Sequence, residues 1–245
     1  MVPLKKFKTI HTGRTIMFAE LEKVMDYSIE ADNYVDSLKS NIFNKKSADG
    51  IRQTGNKLKL LYGFDLLNPQ FRAFKYFWQI TDHKDKPLLA FVYAINQDDL
   101  LAESIQILQD IKQGSKVSIE LFDEHIEKNH PNQYSPNTRR SMAQNIASSW
   151  KQSGFIEGKV KNIRMQPEIS FNVSGFAFLL AYLKGDRGDF IWNSIGVKAL
   201  LLNESKLREL AIECAKRDLM QYQYAGSVTA ISFNNLLNKI GIDAI

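Results

Sequence analysis

SIELFDEHIEKNHPNQYSPNTRRSMAQNIASSWKQSGFIEGKVKNIRM, residues 118–165, is the stretch whose pattern decides the fold. Ser118 starts a short expected helix, 119–128, with Leu121, Phe122 and Ile126 apolar. A polar turn, His130-Pro131-Asn132-Gln133-Tyr134, follows it. Ser135 then sets an N-capping hydroxyl before Pro136, whose fixed φ and missing N–H suit the first position of a helix. The second helix is expected over 137–152, stopped by Gly154, a residue type that takes the left-handed C-cap conformation without strain. Phe155-Ile156-Glu157 and Ile163-Arg164-Met165 flank the turn Gly158-Lys159-Val160-Lys161-Asn162. Two helices and a hairpin in this order form the pattern of a winged helix-turn-helix, whose second helix enters the DNA major groove.

Charge and periodicity assign roles within that stretch. Residues 135–165 carry six basic side chains against one acid, Glu157, whereas 98–128 carry eight acids against three lysines. Basic charge gathered on one module drives salt-dependent binding to nucleic acid. Met142, Ile146 and Trp150, with Ala143 and Ala147, recur at helical spacing and form the expected buried face. Asn137, Arg140 and Gln144 are the candidates for base edges, because Arg, Asn and Gln make paired hydrogen bonds there. Thr138, near the helix N-terminus, suits a phosphate. Arg139, Lys151, Lys159, Lys161 and Arg164 are the candidates for backbone contacts. Lys45, Lys46, Arg52 and Lys57 are additional candidates. With Lys5, Lys6, Lys8, Arg14 and Lys59, they either extend a DNA footprint or are ordinary solvated charges. The alternative for the whole module is docking to protein.

The chain has 245 residues, 44% of them hydrophobic and 24% charged, which allows one large or two to three small domains with a real core. A net charge of +5 is too mild for a surface that is basic throughout, so binding is expected to be local. One cysteine, Cys214, excludes a disulfide framework and a cysteine zinc site, and fits a reducing cytoplasm. The first ten residues lack the apolar core of a signal peptide. The apolar runs 88–95 and 176–183 are far short of the roughly 20 residues that span a bilayer. No membrane association is expected.

Read coarsely, the fold is mainly α. A helical N-terminal bundle is expected over 1–84, with helices at 16–27, 28–37, 48–62 after the cap Ser47, and 70–81 after Asn68-Pro69. The polar run 82–87 marks the boundary. The winged helix-turn-helix segment, 85–170, opens with buried helices 88–95 and 100–112. A helical C-terminal extension, 171–245, holds helices at 175–183, 204–220 and 234–240. Alternation around Ala225-Gly226 predicts a second small hairpin over 222–233.

No catalytic motif stands out. Gly55-Asn56-Lys57 lacks the spacing of a phosphate-binding loop, and no GxGxxG, GxSxG or HExxH occurs. His125 and His130 are poorly spaced to share a metal. Glu120, Asp123, Glu124 and Glu127 form one helix face, more simply solvated than catalytic. A non-enzyme with no metal and no cofactor is therefore expected.

Asn41-Ile42-Phe43-Asn44-Lys45-Lys46-Ser47 leads into a basic helix with Arg52, Leu58, Leu60 and Leu61. The helix pair 88–95 and 100–111 comes next, then Tyr134-Ser135-Pro136-Asn137-Thr138 and a helix ending at Trp150 and Ser153-Gly154-Phe155-Ile156. This order, over about 20–183, resembles the BrxA-type proteins of bacteriophage-exclusion (BREX) systems. The resemblance implies a mostly helical accessory protein of antiviral defence, with double-stranded DNA and other subunits, such as a DNA methyltransferase, as partners. It does not extend beyond residue 185. A scaffold subunit and a winged-helix transcription regulator are the alternatives; the latter would need a dimer interface, for which helix 204–220 is the candidate.

Overall fold

In the computed structural model, residues 7–158, 161–226 and 228–242 are described. Among the described residues helix makes up 61% and strand 6%, so the mainly α expectation holds, and the strands lie in two small antiparallel hairpins. Contacts divide the chain into two units, residues 1–62 with 94–166, and residues 63–93 with 167–245. The units interleave along the chain, so the expected segment 1–84 contributes to both of them.

In chain order the first unit opens with α1 (Phe18–Ser28), α2 (Tyr34–Lys39) and α3 (Ala48–Tyr62). Helices α4 (Pro69–Ile80) and α5 (Lys86–Ile95) follow and belong to the second unit, except for the last two residues of α5. The first unit resumes with α6 (Asp99–Glu103), α7 (Ile105–Asp110), α8 (Ile119–Asn129), α9 (Pro136–Gln152), β1 (Ile156–Glu157) and β2 (Ile163–Arg164). The second is completed by α10 (Phe171–Leu183), α11 (Ile195–Lys198), α12 (Glu204–Lys216), β3 (Gln221–Ala225), β4 (Val228–Ser232) and α13 (Asn234–Lys239).

Local capping chemistry sets many of these starts. Ser47 Oγ accepts the Gly50 N–H at 3.1 Å, Asn68 Oδ1 the Gln70 N–H at 2.9 Å, and Ser135 Oγ the Thr138 N–H at 3.3 Å. Each satisfies an N–H that the helix itself leaves unpaired. The helix expected over 204–220 ends at Lys216 and the one expected over 175–183 begins at Phe171, and two others differ more. The helix expected over 28–37 begins only at Tyr34, because Asp32 is left-handed (φ 54°) and Asn33 caps the turn after it. The helix expected over 100–112 breaks into α6 and α7 at Ser104. There the Ser104 hydroxyl donates to the Leu101 carbonyl at 2.6 Å and accepts the Trp150 indole N–H at 2.7 Å. A side chain that bonds its own backbone in this way competes with helix continuation.

In the first unit, α9 packs on α8 with Met142, Ile146 and Trp150 buried against the core that holds Phe122 and Ile126. Trp150 meets Phe155 edge-on at 5.2 Å. β1 and β2 pair through Ile156↔Arg164 and Glu157↔Ile163. Residues 114–117, just ahead of α8, bond to β2 on its other edge: Gly114 N–H donates to the Arg164 carbonyl (2.8 Å), Arg164 N–H to that of Ser115 (2.9 Å), and Val117 N–H to that of Asn162 (2.9 Å).

In the second unit, α10 is buried along most of its length. Phe176 on it meets Phe74 and Phe77 at 5.7 and 5.4 Å, and Phe74 meets Tyr93 at 4.7 Å. The β3–β4 hairpin pairs from Gln221↔Ser232 to Ala225↔Val228, and Arg208 of α12 donates to Thr229 Oγ1 at 2.9 Å. No helix among the described residues is long and apolar enough to cross a membrane.

Candidate nucleic-acid interface

Helix α9 carries the centre of the site. Asn137, Arg140, Ser141, Gln144, Ser148 and Lys151 recur at three- and four-residue steps, which places them on one stripe of the helix. All are exposed except Ser148, which is half-buried. The opposite face, from Met142 to Trp150, is buried, so the fold presents this stripe outward by default. The side chains of Arg140 and Gln144 take no hydrogen bond among the described residues. Ser141 Oγ donates to the Asn137 carbonyl at 3.1 Å, and Thr138 Oγ1 lies 2.9 Å from the capping Ser135 hydroxyl. At the far end Lys151 Nζ donates to the Gly158 carbonyl at 2.8 Å, which ties the helix to the β1–β2 turn. Lys161, in that turn, is exposed. Lys159 lies outside the described residues.

Two of the expected phosphate contacts are engaged elsewhere. Arg139 is 18% exposed and bridges α9 to α8 through Asp123 Oδ1 (3.0 Å) and Glu127 Oε2. The hydrogen bond to Asp123, then the charges of Asp123 and Glu127, outweigh partial desolvation and hold its guanidinium more firmly protonated than usual. Arg164 is 5% exposed, donates to the carbonyls of Leu108 and Met165 and to Gln166 Oε1, and lies over the Phe155 ring. Burial lowers its pKa. As placed, Arg164 has no face to offer a phosphate, and it leaves the contact set for the core.

Between α8 and the start of α9 runs a cleft of about 270 Å³ lined by Ile119, Glu120, Asp123, Pro136, Asn137, Arg139 and Arg140. Glu120 is held below the usual carboxylate range by its own backbone N–H and the Ser118 hydroxyl, and further by the charges of Arg140 and Lys116. Of the N-terminal candidates, Lys45 pairs with Glu20 at 3.0 Å and Arg52 with Asp49 at 2.5 Å; Lys46 is exposed and Lys57 half-buried.

The structure also assembles a group absent from the sequence reading. His11 Nδ1 lies 2.9 Å from Asp98 Oδ2, and His11 Nε2 lies 2.9 Å from Ser149 Oγ. The connectivity is that of a nucleophilic triad. All three residues are at most 1% exposed, and Ser149 Oγ also donates to the Asn145 carbonyl and accepts the Ile16 N–H, each at 3.0 Å. With its hydroxyl so occupied and sealed, the array holds structure and reaches no substrate. In the sequence Asp98 counts only as one of the acids of 98–128; in the structure it caps α6 through the Leu101 N–H, and its tie to His11 joins residues 87 positions apart. Among the described residues no group of three His, Cys, Asp or Glu side chains is placed to hold a metal ion.

The chain matches no protein-family model, no curated protein and no solved structure.

Proposed function

We propose that this chain is a non-catalytic protein that binds duplex DNA through a winged helix-turn-helix formed by α8, α9 and the β1–β2 hairpin. The observation that carries this reading is the exposed stripe Asn137, Arg140, Gln144 and Lys151 on α9. It presents donors of the kinds that read base edges and hold phosphates, on the helix that would lie in the major groove. The order of elements supports it. A short segment, 114–117, precedes the helix pair and bonds to the hairpin that follows it, so hairpin and helices form one module. Lys151 and Lys161 bring positive charge to the junction of helix and turn, and Arg139 fixes the angle between the two helices. The proposed contact set is thus Asn137, Thr138, Arg140, Gln144, Lys151 and Lys161, with Lys159 as a further candidate on sequence grounds.

A place in bacterial phage defence, with a methyltransferase or another subunit as partner, rests on the resemblance to BrxA-type proteins alone. The competing reading is a docking module. An apolar groove of about 380 Å³ between α2 and α3, lined by Val35, Leu38 and Ile51 and rimmed by Lys39, Arg52 and Lys59, favours it. Fluorescence anisotropy with a labelled random-sequence duplex separates the two. Binding that weakens on the order of a hundred-fold between about 50 and 200 mM salt, as about four phosphate contacts require, is the expected result. Absence of binding at the lower salt would transfer the module to the docking reading.

A further inference from the structure

We propose that the loop 12–15 belongs to the same DNA-contact surface, with Arg14 as a phosphate ligand held beside α9 by a buried clamp. The proposal rests on the DNA-binding reading above.

Three residues on one flank of α9 fasten the N-terminal segment. Asn145 Nδ2 donates to the His11 carbonyl at 3.0 Å, Ser149 Oγ accepts the Ile16 N–H at 3.0 Å, and Gln152 Oε1 accepts the Phe18 N–H at 3.2 Å. Residues 11, 16 and 18 are thereby bonded to successive turns of one helix, and the loop between them has to run along that flank. The flank adjoins the exposed stripe: Asn145 is one turn beyond Ser141, and Gln152 Nε2 reaches Ser148 Oγ at 3.4 Å. Asn145 and Gln152, polar residues that a helical wheel assigns to solvent or to bases, are therefore committed to holding the loop.

A second layer anchors it from behind. His11 is set between Ser149 and Asp98, and Asp98 also accepts the Ile10 N–H at 2.8 Å and the Thr9 hydroxyl at 3.0 Å. Lys8 and Asp99 exchange two more bonds, Lys8 N–H to Asp99 Oδ2 and Asp99 N–H to the Lys8 carbonyl, both at 2.8 Å. Within the loop, the Gly13 and Arg14 N–H groups both donate to the Ile10 carbonyl, at 3.1 and 3.0 Å, which closes the turn. Out of this framework Arg14 projects exposed, its guanidinium bonded only to the Gly13 carbonyl at 3.2 Å and to no acid among the described residues. Buried bonds of this kind are costly to leave unmade, so the turn is held in one place. A guanidinium on a preorganised turn loses little freedom when it takes up a phosphate oxygen. Thr12 and Gly13, exposed beside it, leave room for a backbone to approach.

The test uses the full chain and a labelled random-sequence duplex at about 50 and 200 mM salt, with Arg14→Gln, Arg14→Lys, Ser149→Ala, the Arg14→Gln/Ser149→Ala double variant, and Arg140→Glu. Arg14→Gln should weaken binding roughly three- to ten-fold and lower the salt slope by about one, while Arg14→Lys keeps the slope. Ser149→Ala touches no DNA but should weaken binding by a comparable factor, and the double variant should be no weaker than either single one. If Arg14→Gln leaves affinity and slope unchanged while Arg140→Glu weakens binding, the loop proposal is overturned and the DNA reading stands. If the two changes add, Arg14 meets DNA but the clamp does not position it, and that half is overturned. If the wild type binds no DNA, both readings fall together. Should Ser149→Ala not fold by circular dichroism, the Arg14→Gln and Arg14→Lys pair decides the phosphate contact, and Asn145→Ala replaces it in the cycle.

Discussion

His11 Nδ1 lies 2.9 Å from Asp98 Oδ2, with both side chains sealed from solvent. Burial pushes the Asp98 carboxyl up. The charge and hydrogen bond of His11, with the N–H groups of Leu101 and Ile10, outweigh it and hold Asp98 below the ordinary carboxylate range. A depressed folded pKa gives stability that is fully present above the unfolded value, about 4, and is lost as pH falls through the lower folded value. Asp98→Asn leaves buried donors short of an acceptor and is therefore expected to cost about 1–3 kcal/mol at neutral pH. Urea denaturation from about pH 7 to pH 3 should show the gap to wild type closing only below about pH 4. A gap of constant size across that range would refute the depressed Asp98 carboxyl.

Cys214 is expected to be chemically silent in the native protein. Burial pushes its thiol pKa up to about 12, its S–H donates to the Phe171 carbonyl at 3.2 Å, and it sits under α10 beside Ser174. A thiol reagent attacks the thiolate. At pH about 8 the native chain should therefore label only as fast as its second unit unfolds, and denaturant should restore the rate of a free thiol. Fast labelling without denaturant would show that α10 and α12 part readily.

What was legible in the sequence followed from local chemistry. Ser47, Asn68-Pro69 and Ser135-Pro136 mark helix starts because a cap and its N–H lie within three residues of each other. The hairpin at β3–β4 was readable from alternation around Ala225-Gly226. The stripe on α9 was readable because Met142, Ile146 and Trp150 declare the opposite face. What stayed hidden depends on partners far along the chain. Ser104, where α6 gives way to α7, bonds the Leu101 carbonyl and accepts the indole N–H of Trp150, 46 residues on. Arg139 is drawn to α8 by Asp123 and Glu127, which the sequence places on one helix face without showing that Arg139 meets it. Arg164 lies in a strand of two residues, too short for alternation to say which way it points. The clamp on loop 12–15 links His11 to Ser149 across 138 positions, beyond any reading by spacing.

Gly158 is required by the β1–β2 turn. Its φ is +104°, and a Cβ there would collide with the Lys161 carbonyl oxygen. The same residue's carbonyl receives Lys151 Nζ from the end of α9. Gly158→Ala should cost about 1–3 kcal/mol in urea denaturation, the range for a side chain forced into a sparsely populated backbone region. It should also weaken DNA binding, because the turn sets where Lys151 and Lys161 stand. Unchanged stability would mean that the turn can adopt a second form at little cost.

Arg139 and Arg140 are neighbours in sequence and should behave as opposites. Arg140 is exposed on the stripe and takes no hydrogen bond among the described residues, whereas Arg139 is bound to Asp123 and Glu127. Replacing a contact to a base edge costs about 1–3 kcal/mol of binding, roughly five- to 150-fold. Arg140→Glu adds repulsion from phosphates and should reach the upper part of that range without altering the thermal midpoint much. Arg139→Gln should leave DNA affinity nearly unchanged and lower the midpoint, because it unties α9 from α8. Asp123→Asn should lower the midpoint too, and the pair Arg139→Gln/Asp123→Asn should lose less than the sum of the two, as coupled residues do. The reverse pattern, with affinity lost at Arg139 and stability lost at Arg140, would place the DNA on the α8 side of the helix pair and remove the stripe from the site.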